Sequence, residues 1–227
     1  MIATGPRGPG SGGPDDPGTA KAVDHAEPDR RTFSRNNLGF APAKVNLALH
    51  VTGRRSDGYH FLDSLVAFAD VGDGLTAGPG DALSVIGPFA AGVPVDHTNL
   101  IRRALALAGT PRAVVLDKQL PHPAGLGGGS SDAAAALRLV GAAPTVADLL
   151  SLGADVPVCM DRRSARMQGV GEIVTSHPVP PLAAILLHPG VALPTAAVFA
   201  RLASTDNPEI GLLPRRTDAA DFIDWLV

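Results

Sequence analysis

Four glycines within five positions constrain the fold of this chain more than any other feature. The run Gly125–Gly129 (GLGGG) leads through Ser130, Ser131 and Asp132 directly into four alanines. Because glycine has no Cβ, such a run lets backbone N–H groups point inward around an anion. A helix capped by Ser131 or Asp132 would add N-terminal amides and a dipole that attract phosphate. The pattern therefore predicts a loop and a helix N-terminus that together hold a nucleotide phosphate.

Other glycine-rich phosphate loops do not fit these residues. A Walker A loop needs G-x-x-x-x-G-K-[ST], and no lysine stands near the end of this loop. A dinucleotide-binding turn needs G-x-G-x-x-G straight after a strand, but Ser130 occupies the third glycine position here. Protein-kinase signatures such as H-R-D and D-F-G are absent from the sequence. A flexible linker is the remaining alternative, and linkers do not usually continue into an alanine-rich helix.

The rest of the chain mixes short strands with short helices, without the regular alternation of a βαβ fold. This mixture is typical of the α+β class. Hydrophobic periodicity predicts strands at 45–52, 61–69, 81–86, 113–116 and 182–187, and helices at 99–108, 146–152 and 195–202. The segment DVGDG at 70–74 predicts a turn that ends the second strand.

Composition narrows the class of protein. Residues 1–37 are polar and begin with a stretch rich in Gly and Pro, so they are predicted to be a disordered extension. The single cysteine, Cys159, allows no internal disulfide and fits a reducing cytoplasm. A net charge of −3 argues against a nucleic-acid partner, and no run reaches the roughly 18 apolar residues of a membrane span. No zinc-ligand spacing is present either.

Five segments, in order, carry a resemblance to a known family. Pro121–Ser131 is similar to the second motif of the GHMP kinase superfamily, P-x-x-x-G-L-G-G-G-S-S. Four further segments resemble those of the 4-diphosphocytidyl-2-C-methyl-D-erythritol kinases within that superfamily. They are APAKVNL at 41–47, RSDGYH at 55–60, GADVPV at 153–158 and HPG at 188–190.

This resemblance implies both a reaction and an architecture. The reaction is a cytoplasmic step of non-mevalonate isoprenoid synthesis, in which ATP with Mg²⁺ phosphorylates the 2-hydroxyl of a cytidine-diphosphate-linked methylerythritol. The expected partner is this small-molecule substrate, with neither nucleic acid nor membrane. The architecture is a two-lobe GHMP-kinase-like fold. An S5-like (ribosomal protein S5) ATP-binding domain at 38–177 would precede an incomplete ferredoxin-like domain at 178–227.

Two charged residues in the matching segments are the predicted catalytic pair. Asp155 would be the general base, because an acceptor alcohol needs an oriented carboxylate to take its proton. Lys44 would favour the ionised carboxylate and the developing alkoxide. Only three of the 19 basic residues are lysines, and a compact ammonium is not interchangeable with a guanidinium. The alternatives are a turn aspartate before Pro157 and a solvated lysine.

The resemblance also assigns substrate-binding residues. Tyr59, the only tyrosine, would stack on the cytosine ring, and His60 would hydrogen-bond the cytidine. Phe199 matches a second stacking aromatic, although core packing would also explain an aromatic on an apolar helix face. Thr195 would contact substrate or cap its own helix. Asn46, two residues after the predicted catalytic lysine, shares its strand face and can hydrogen-bond substrate.

The predicted ATP site centres on the glycine loop. Asn99 and Lys118 match family residues near the adenine and ribose, while a helix N-cap and a surface lysine are the respective alternatives. The full predicted ATP-binding set is Pro121, His122, Pro123, Ala124, Gly125, Leu126, Gly127, Gly128, Gly129, Ser130, Ser131, Asn99 and Lys118.

The sequence departs from the family pattern in two places. Pro123 adds a second proline before the glycines, which predicts altered ATP affinity. Nothing after Gly211 resembles the third glycine-rich motif of GHMP kinases, and the last residues predict a helix whose apolar face (Phe222, Trp225 and Leu226) lacks a partner. We therefore expect a C-terminally truncated second domain. A catalytically impaired nucleotide-binding fragment and another GHMP small-molecule kinase are the alternative functions.

Overall fold

The computed structural model describes residues 38–188, 190–191, 195–215 and 218–226. The predicted disordered extension at 1–37 lies outside the described residues, as do Pro189 of the HPG segment and the side chain of Thr195. The elements in chain order are β1 (Phe40–Arg54), β2 (His60–Gly78), β3 (Leu83–Ile86), α1 (Leu100–Leu107), β4 (Ala113–Asp117), α2 (Gly128–Leu139), α3 (Val146–Leu152), α4 (Val156–Asp161), β5 (Ala165–Gly169), β6 (Ile173–Ser176), α5 (Thr195–Phe199) and α6 (Ala219–Leu226). Within these ranges, no helix has the length and apolar character needed to cross a membrane.

One mixed sheet organises the molecule, and β2 is its longest strand. β1 pairs antiparallel with β2 from Phe40↔Gly74 to Arg54↔His60. On its other edge, β2 pairs with β5 near its start and with β4 near its end, both antiparallel, while β3 runs parallel to β4. The order along the sheet is therefore β3-β4-β2-β5-β6, with β1 beside β2.

The alanine run forms α2 and lies at the centre of the core. Ala133 packs with α1, α3 and α4 residues, Ala134 with Val66 and Val158, and Ala135 with Leu75 and Leu116. Every residue from 131 to 137 is buried. Only small side chains let a helix pack closely on all sides, which explains four consecutive alanines.

The predicted turn at 70–74 is wrong, because β2 runs straight through this segment. A Cβ on Gly72 would lie only 2.3 Å from the carbonyl oxygen of Ala41. Gly72 is therefore required for the close approach of β1, and the next residue, Asp73, is fully buried. In the segment that resembles a turn, Gly72 instead allows β1 and β2 to pair, and Asp73 provides a buried charge.

The predicted strand at 182–187 is also wrong. This apolar segment forms no strand in the structure, and the side chains of Ile185 and Leu187 are 86% and 90% exposed. A strand needs a paired neighbour for its backbone groups, and apolar periodicity alone does not supply one. Conversely, the β5–β6 hairpin was not predicted; Gly169 at the end of β5 and Gly171 in the turn both have positive φ.

The C-terminal helix α6 forms as expected, but its predicted exposed face differs in the structure. Phe222 is completely buried, with its ring 5.8 Å from that of Trp225. Ile223 is exposed instead. The expectation of an unpartnered apolar face is therefore wrong at Phe222.

Candidate active site

An open cleft of about 1250 Å³ runs across the molecule. One end is lined by the glycine loop and the start of β1. The other end is lined by the β1–β2 turn and by residues 198–202, which we term the wall. The predicted site residues that line the cleft are Lys44, Asn46, Tyr59, His60, Pro121, His122, Pro123, Ala124, Gly125, Leu126, Gly127, Gly128, Gly129, Ser130, Asp155 and Phe199.

The two predicted catalytic residues form an ion pair inside this cleft. Lys44 Nζ lies 2.9 Å from Asp155 Oδ1, with the lysine side chain 4% exposed and the aspartate side chain 31% exposed. Asp155 stands at the N-cap position of α4, yet its carboxylate makes no cap hydrogen bond. Because that carboxylate faces the cleft and one ammonium, it can accept a proton from a bound hydroxyl group.

Asn46 extends the polar group around Lys44. Lys44 Nζ and Ser64 Oγ both donate to Asn46 Oδ1, at 3.1 and 3.0 Å. Because both bonds fall on the carbonyl oxygen, the side-chain amide of Asn46 keeps its two protons for another acceptor. The β1–β2 register shifts immediately before Lys44 and again after Asn46, and such bulges redirect side chains beside sites.

The glycine loop lies directly against Lys44. The Lys44 backbone amide donates to the Leu126 carbonyl at 2.8 Å, and a Cβ on Gly127 would lie 3.0 Å from Lys44 Cβ. Gly127 has a φ of 62° and is the N-cap of α2. The helix therefore starts within the glycines, and the prediction that Ser131 or Asp132 caps it is wrong.

Ser131 has a structural contact instead of a cap. Its hydroxyl donates to the Pro42 carbonyl at 2.8 Å, and the residue is completely buried. This bond joins the first turn of α2 to β1 near Lys44. Ser131 is not among the residues that line the cleft, so its predicted contact with ATP stays a prediction.

A buried charge network lies beneath the loop. Lys118 donates to carboxylate oxygens of both Asp73 and Asp132, and Asp73 Oδ1 accepts from the backbone amides of Gln119 and Leu120. A Cβ on Gly128 would lie 3.0 Å from Lys118 Nζ. The surface-lysine alternative for Lys118 is therefore wrong, since the residue is buried under the loop. It does not line the cleft, and its predicted contact with ribose stays a prediction.

The environment of this network shifts two pKa values. Burial raises the pKa of Asp132 to about 8, and the positive charge of Lys118 only partly opposes this effect. The buried Asp132 Oδ1 has no hydrogen-bond partner, whereas Asp132 Oδ2 accepts from Lys118. Burial alone would lower the pKa of Lys118, but the charges of Asp132 and Asp73 outweigh it and raise that pKa.

Asn99 is the N-cap of α1, which was the alternative to its predicted contact with adenine. Its side-chain oxygen accepts from the Ile101 amide at 2.8 Å at the start of α1, and its amide donates to the Pro94 carbonyl. Asn99 is buried and does not line the cleft. Its predicted contact with adenine stays a prediction.

Aromatic side chains gather at the other end of the cleft. The His60 and Phe199 ring centroids are 5.0 Å apart with the planes tilted by 40°. Tyr59 is 60% exposed and lies on the turn that joins β1 to β2. An exposed ring beside a His–Phe contact can stack on a flat heterocycle.

Sequence reasoning missed several residues that support the site. Ser64 orients Asn46, and Asp73 binds the segment that enters the glycine loop. Gly171 is needed beside Ala154, because a Cβ at position 171 would lie 2.0 Å from the Ala154 carbonyl oxygen. A charged residue within an apolar strand is the sequence signal for such supporting positions, as Asp63 is in the segment FLDSLVAF. Cys159 is buried, and burial raises the pKa of its thiol to about 12, so it is not a nucleophile.

Comparison with known proteins identifies related sequences. Residues 96–163 match the family described as GHMP kinases N terminal domain. The 4-diphosphocytidyl-2-C-methyl-D-erythritol kinase of Dinoroseobacter shibae is 53% identical over 207 residues, covering 87% of this chain and 71% of that protein. The protein of the same name from Paracoccus denitrificans is 52% identical over 189 residues, covering 82% of this chain and 68% of that protein.

A solved structure supports the same relationship. The crystal structure of a 4-(cytidine 5'-diphospho)-2C-methyl-D-erythritol kinase aligns with a TM-score of 0.60 and 37% sequence identity. The alignment covers 76% of this chain and 67% of that chain. The expected mixed fold of strands and helices of the GHMP-kinase type is confirmed.

Proposed function

The chain belongs to the 4-diphosphocytidyl-2-C-methyl-D-erythritol kinase family of GHMP kinases, and on that premise we propose its reaction. It transfers the γ-phosphoryl group of ATP to the 2-hydroxyl of 4-diphosphocytidyl-2-C-methyl-D-erythritol, a step of non-mevalonate isoprenoid synthesis. The observation that carries this proposal is the Lys44–Asp155 ion pair, held at 2.9 Å beside the glycine loop. Phosphoryl transfer depends mainly on such positioning and on stabilisation of charge.

The geometry of that pair supports a role for each residue. Asp155 Oδ accepts the proton of the substrate hydroxyl as the oxygen attacks the γ-phosphorus. Lys44 favours the ionised form of Asp155 and stabilises negative charge that develops on the attacking oxygen. Asn46, fixed through its carbonyl oxygen by Lys44 and Ser64, donates its amide protons to the substrate.

The glycine loop holds the ATP phosphates. Gly127 and its neighbours present backbone amides at the start of α2, where the helix dipole also favours anions. The hydrogen bond between the Lys44 amide and the Leu126 carbonyl fixes the loop relative to the catalytic lysine. The phosphates and the acceptor hydroxyl are thereby brought to the same end of the cleft.

The donor set suits a Mg²⁺ ion that enters with ATP. Mg²⁺ commonly keeps several waters and uses one or two carboxylates plus substrate phosphates. Asp155 and the Ser130 hydroxyl are the hard oxygen donors near the loop, whereas no group of three or more metal-binding side chains occurs within the described ranges. When bound, the ion would offset the charge of the phosphates.

The aromatic end of the cleft selects the cytidine group. We assign Tyr59 and Phe199 to stacking on the cytosine ring, and His60 to a hydrogen bond with it. The 5.0 Å contact between His60 and Phe199 supports this assignment, because the two rings already share one surface. Thr195 is assigned to the same substrate from its sequence match.

The finer organisation is part of the proposal. The six-stranded sheet ends at Ser176, which supports a boundary near residue 177. The resemblance implies an S5-like fold for the ATP-binding domain at 38–177 and an incomplete ferredoxin-like fold for 178–227. A buried, unpaired Cys159 thiol and small charged substrates agree with action in the cytoplasm.

Product analysis tests the proposed reaction directly. The full chain is incubated with 4-diphosphocytidyl-2-C-methyl-D-erythritol and Mg²⁺-ATP, and ³¹P NMR follows the product. We expect ADP together with a phosphomonoester on C2 of the methylerythritol. A folded wild-type chain that forms no more product than Asp155→Asn contradicts the proposal. Homoserine and mevalonate serve as control acceptors, and preferential turnover of either would also contradict it.

A further inference from the structure

The wall that carries Phe199 is attached to the molecule at some distance from the reacting groups. Its cleft-lining residues are Val198, Phe199, Ala200 and Leu202, and they belong to the short helix α5 and the turn after it. Five positions after Leu202 begins a segment without regular secondary structure, residues 207–214, which we term the strap. The strap makes hydrogen bonds to residues of β1, β2 and β5, and near its end to His177, which follows β6.

Hydrogen bonds to β1 fix the beginning of the strap. The backbone and side-chain amides of Asn207 both donate to the Val51 carbonyl, at 3.1 and 2.9 Å. His50 Nδ1 donates to the Pro208 carbonyl at 2.7 Å. These bonds stand at the end of β1 that leads into the turn bearing Tyr59.

A buried ion pair fixes the middle of the strap. Asp63 of β2 accepts a bidentate pair of hydrogen bonds from Arg166 of β5, at 2.8 and 2.6 Å. Asp63 Oδ2 also accepts from the Ile210 amide at 2.8 Å, while Arg166 donates to the Ile210 carbonyl at 3.3 Å. The pair thus binds both backbone groups of Ile210, whose side chain is buried.

From these contacts we propose that Asp63 and Arg166 are positioning residues for the cytidine half of the substrate, acting through the strap to hold Phe199 against His60. The inference rests on the proposed function, since it specifies how the same cleft selects its acceptor. Neither residue lines the cleft. Their effect is therefore on the placement of the wall, which lies away from the reacting groups, so a displaced wall weakens binding of the cytidine half and leaves the chemical step unchanged.

The charge state of Asp63 agrees with this role. Burial opposes its ionisation, but the hydrogen bonds from Arg166 and Ile210 outweigh burial and hold the pKa of Asp63 below its ordinary value. The carboxylate therefore keeps its charge and its hydrogen bond with the Ile210 amide throughout the neutral pH range. A bidentate Arg–carboxylate pair also fixes geometry better than a single contact does.

Steady-state kinetics separates positioning from general stability. For Asp63→Asn we expect KM for the cytidylyl substrate to rise about tenfold, with kcat and KM for ATP within about twofold of wild type. Asn207→Ala acts on the strap without touching the ion pair and should raise the same KM. Glu209→Gln is the matched control, because this exposed carboxylate lies 3.8 Å from Arg166 and contributes little.

Two further measurements keep the test independent of turnover. Calorimetric titration with CDP should show about tenfold weaker binding to Asp63→Asn than to wild type, whether or not the chain is active. Hydrogen exchange in Asp63→Asn should be faster at 198–211 and unchanged at 131–137. If Asp63→Asn fails to fold, Asn207→Ala carries the same measurements.

Distinct outcomes would overturn each proposal. A variant with lower kcat but unchanged KM, or with unchanged exchange at 198–202, shows a purely structural ion pair and overturns the positioning role. A wild-type chain without turnover, but with CDP binding that weakens in Asp63→Asn, overturns the proposed reaction and retains the positioning role. Should wild type bind no CDP, the exchange at 198–202 decides the positioning role alone.

Discussion

The two ends of the cleft are held in place by different means. The glycine loop continues into α2, whose residues 131–137 are all buried, and lies above the Lys118–Asp73–Asp132 network. The wall at the other end belongs to a short helix and depends on the strap for its attachment to the sheet. The end that we propose binds phosphate is therefore part of the core, whereas the end that we propose binds cytidine is attached by a few polar contacts and the Phe199–His60 ring contact. We expect substitutions at the first end to affect catalysis and folding, and those at the second to affect substrate affinity.

The largest expected effect is on catalysis at the buried end. Asp155→Asn keeps the size of the side chain but removes its ability to accept a proton. We expect kcat to fall by about 10²–10⁴-fold, the range for a general acid or base. Affinities for ATP and CDP, measured by calorimetry, should stay within about threefold of wild type. A loss of CDP affinity as large as the loss of kcat would mean that the two ends of the cleft do not act independently.

Asp73 gives the largest expected effect on stability. Asp73→Asn places an amide against the Lys118 ammonium and leaves a buried charge poorly compensated. The free energy of unfolding should fall by about 3–5 kcal/mol in a denaturant titration. Asp117→Asn is the control, because buried Asp117 accepts from Gln119 Nε2, and an amide oxygen can do the same. Equal losses in the two variants would exclude a special role for the charge network.

Gly127 tests the contact between loop and lysine. Gly127→Ala forces an alanine into the left-handed backbone conformation, which costs about 1–2 kcal/mol of stability. It also brings the new Cβ to 3.0 Å from Lys44 Cβ. We expect KM for ATP to rise about tenfold, with KM for the cytidylyl substrate unchanged. Gly109→Ala is a matched control, since its φ is also +62° but nothing lies within 4 Å. It should lose similar stability and keep both KM values.

Phe199 gives a smaller effect, confined to the cytidine end. Phe199→Ala removes the ring that contacts His60 and should cost about 0.5–1.5 kcal/mol of CDP binding, the usual range for an aromatic pair. Calorimetry with CDP measures the loss, and ATP affinity should not change. A destabilised fold without a change in CDP affinity would instead support core packing for Phe199.

The two ends should respond in opposite directions to pH. The folded-state pKa of Asp63 is lowered, so its stabilisation is complete above about pH 4 and is lost as pH falls through the folded value. The pKa of Asp132 is raised to about 8, so stability is greatest below about pH 4 and declines as pH rises toward 8. Hydrogen-exchange protection factors should therefore drop at the strap in acid and at α2 near pH 8. The same pH dependence at both places would contradict separate anchoring.

Local patterns predicted α2 and its loop well, because helix formation and glycine φ angles depend on adjacent residues. They failed where long-range pairing decided the outcome. DVGDG resembles a turn but continues β2, since Gly72 admits β1 and Asp73 binds Lys118. The segment 182–187 has strand periodicity, yet it pairs with no strand of the described sheet.

Motif matches predicted most of the residues that line the cleft, but Asn99, Lys118 and Ser131 do not line it, and the motifs did not indicate how the site is supported. Lys44 and Asp155 are 111 positions apart, and only the packing of α2 between β1 and α4 brings them to 2.9 Å. The role of Lys118 illustrates the limit, because its two carboxylate partners come from β2 and α2. Such a network leaves no local pattern, because its members come from separate segments of the chain and none of these segments indicates its partner.

The sequence by itself determined the glycine loop, the alanine helix and the family, because these depend on glycine, alanine and short ordered motifs. The tertiary structure alone decided that Asp73, Lys118 and Asp132 lie beneath the loop and that the strap anchors the wall. The physical reason is that an ion pair in the core acquires its strength from burial and from partners distant in sequence.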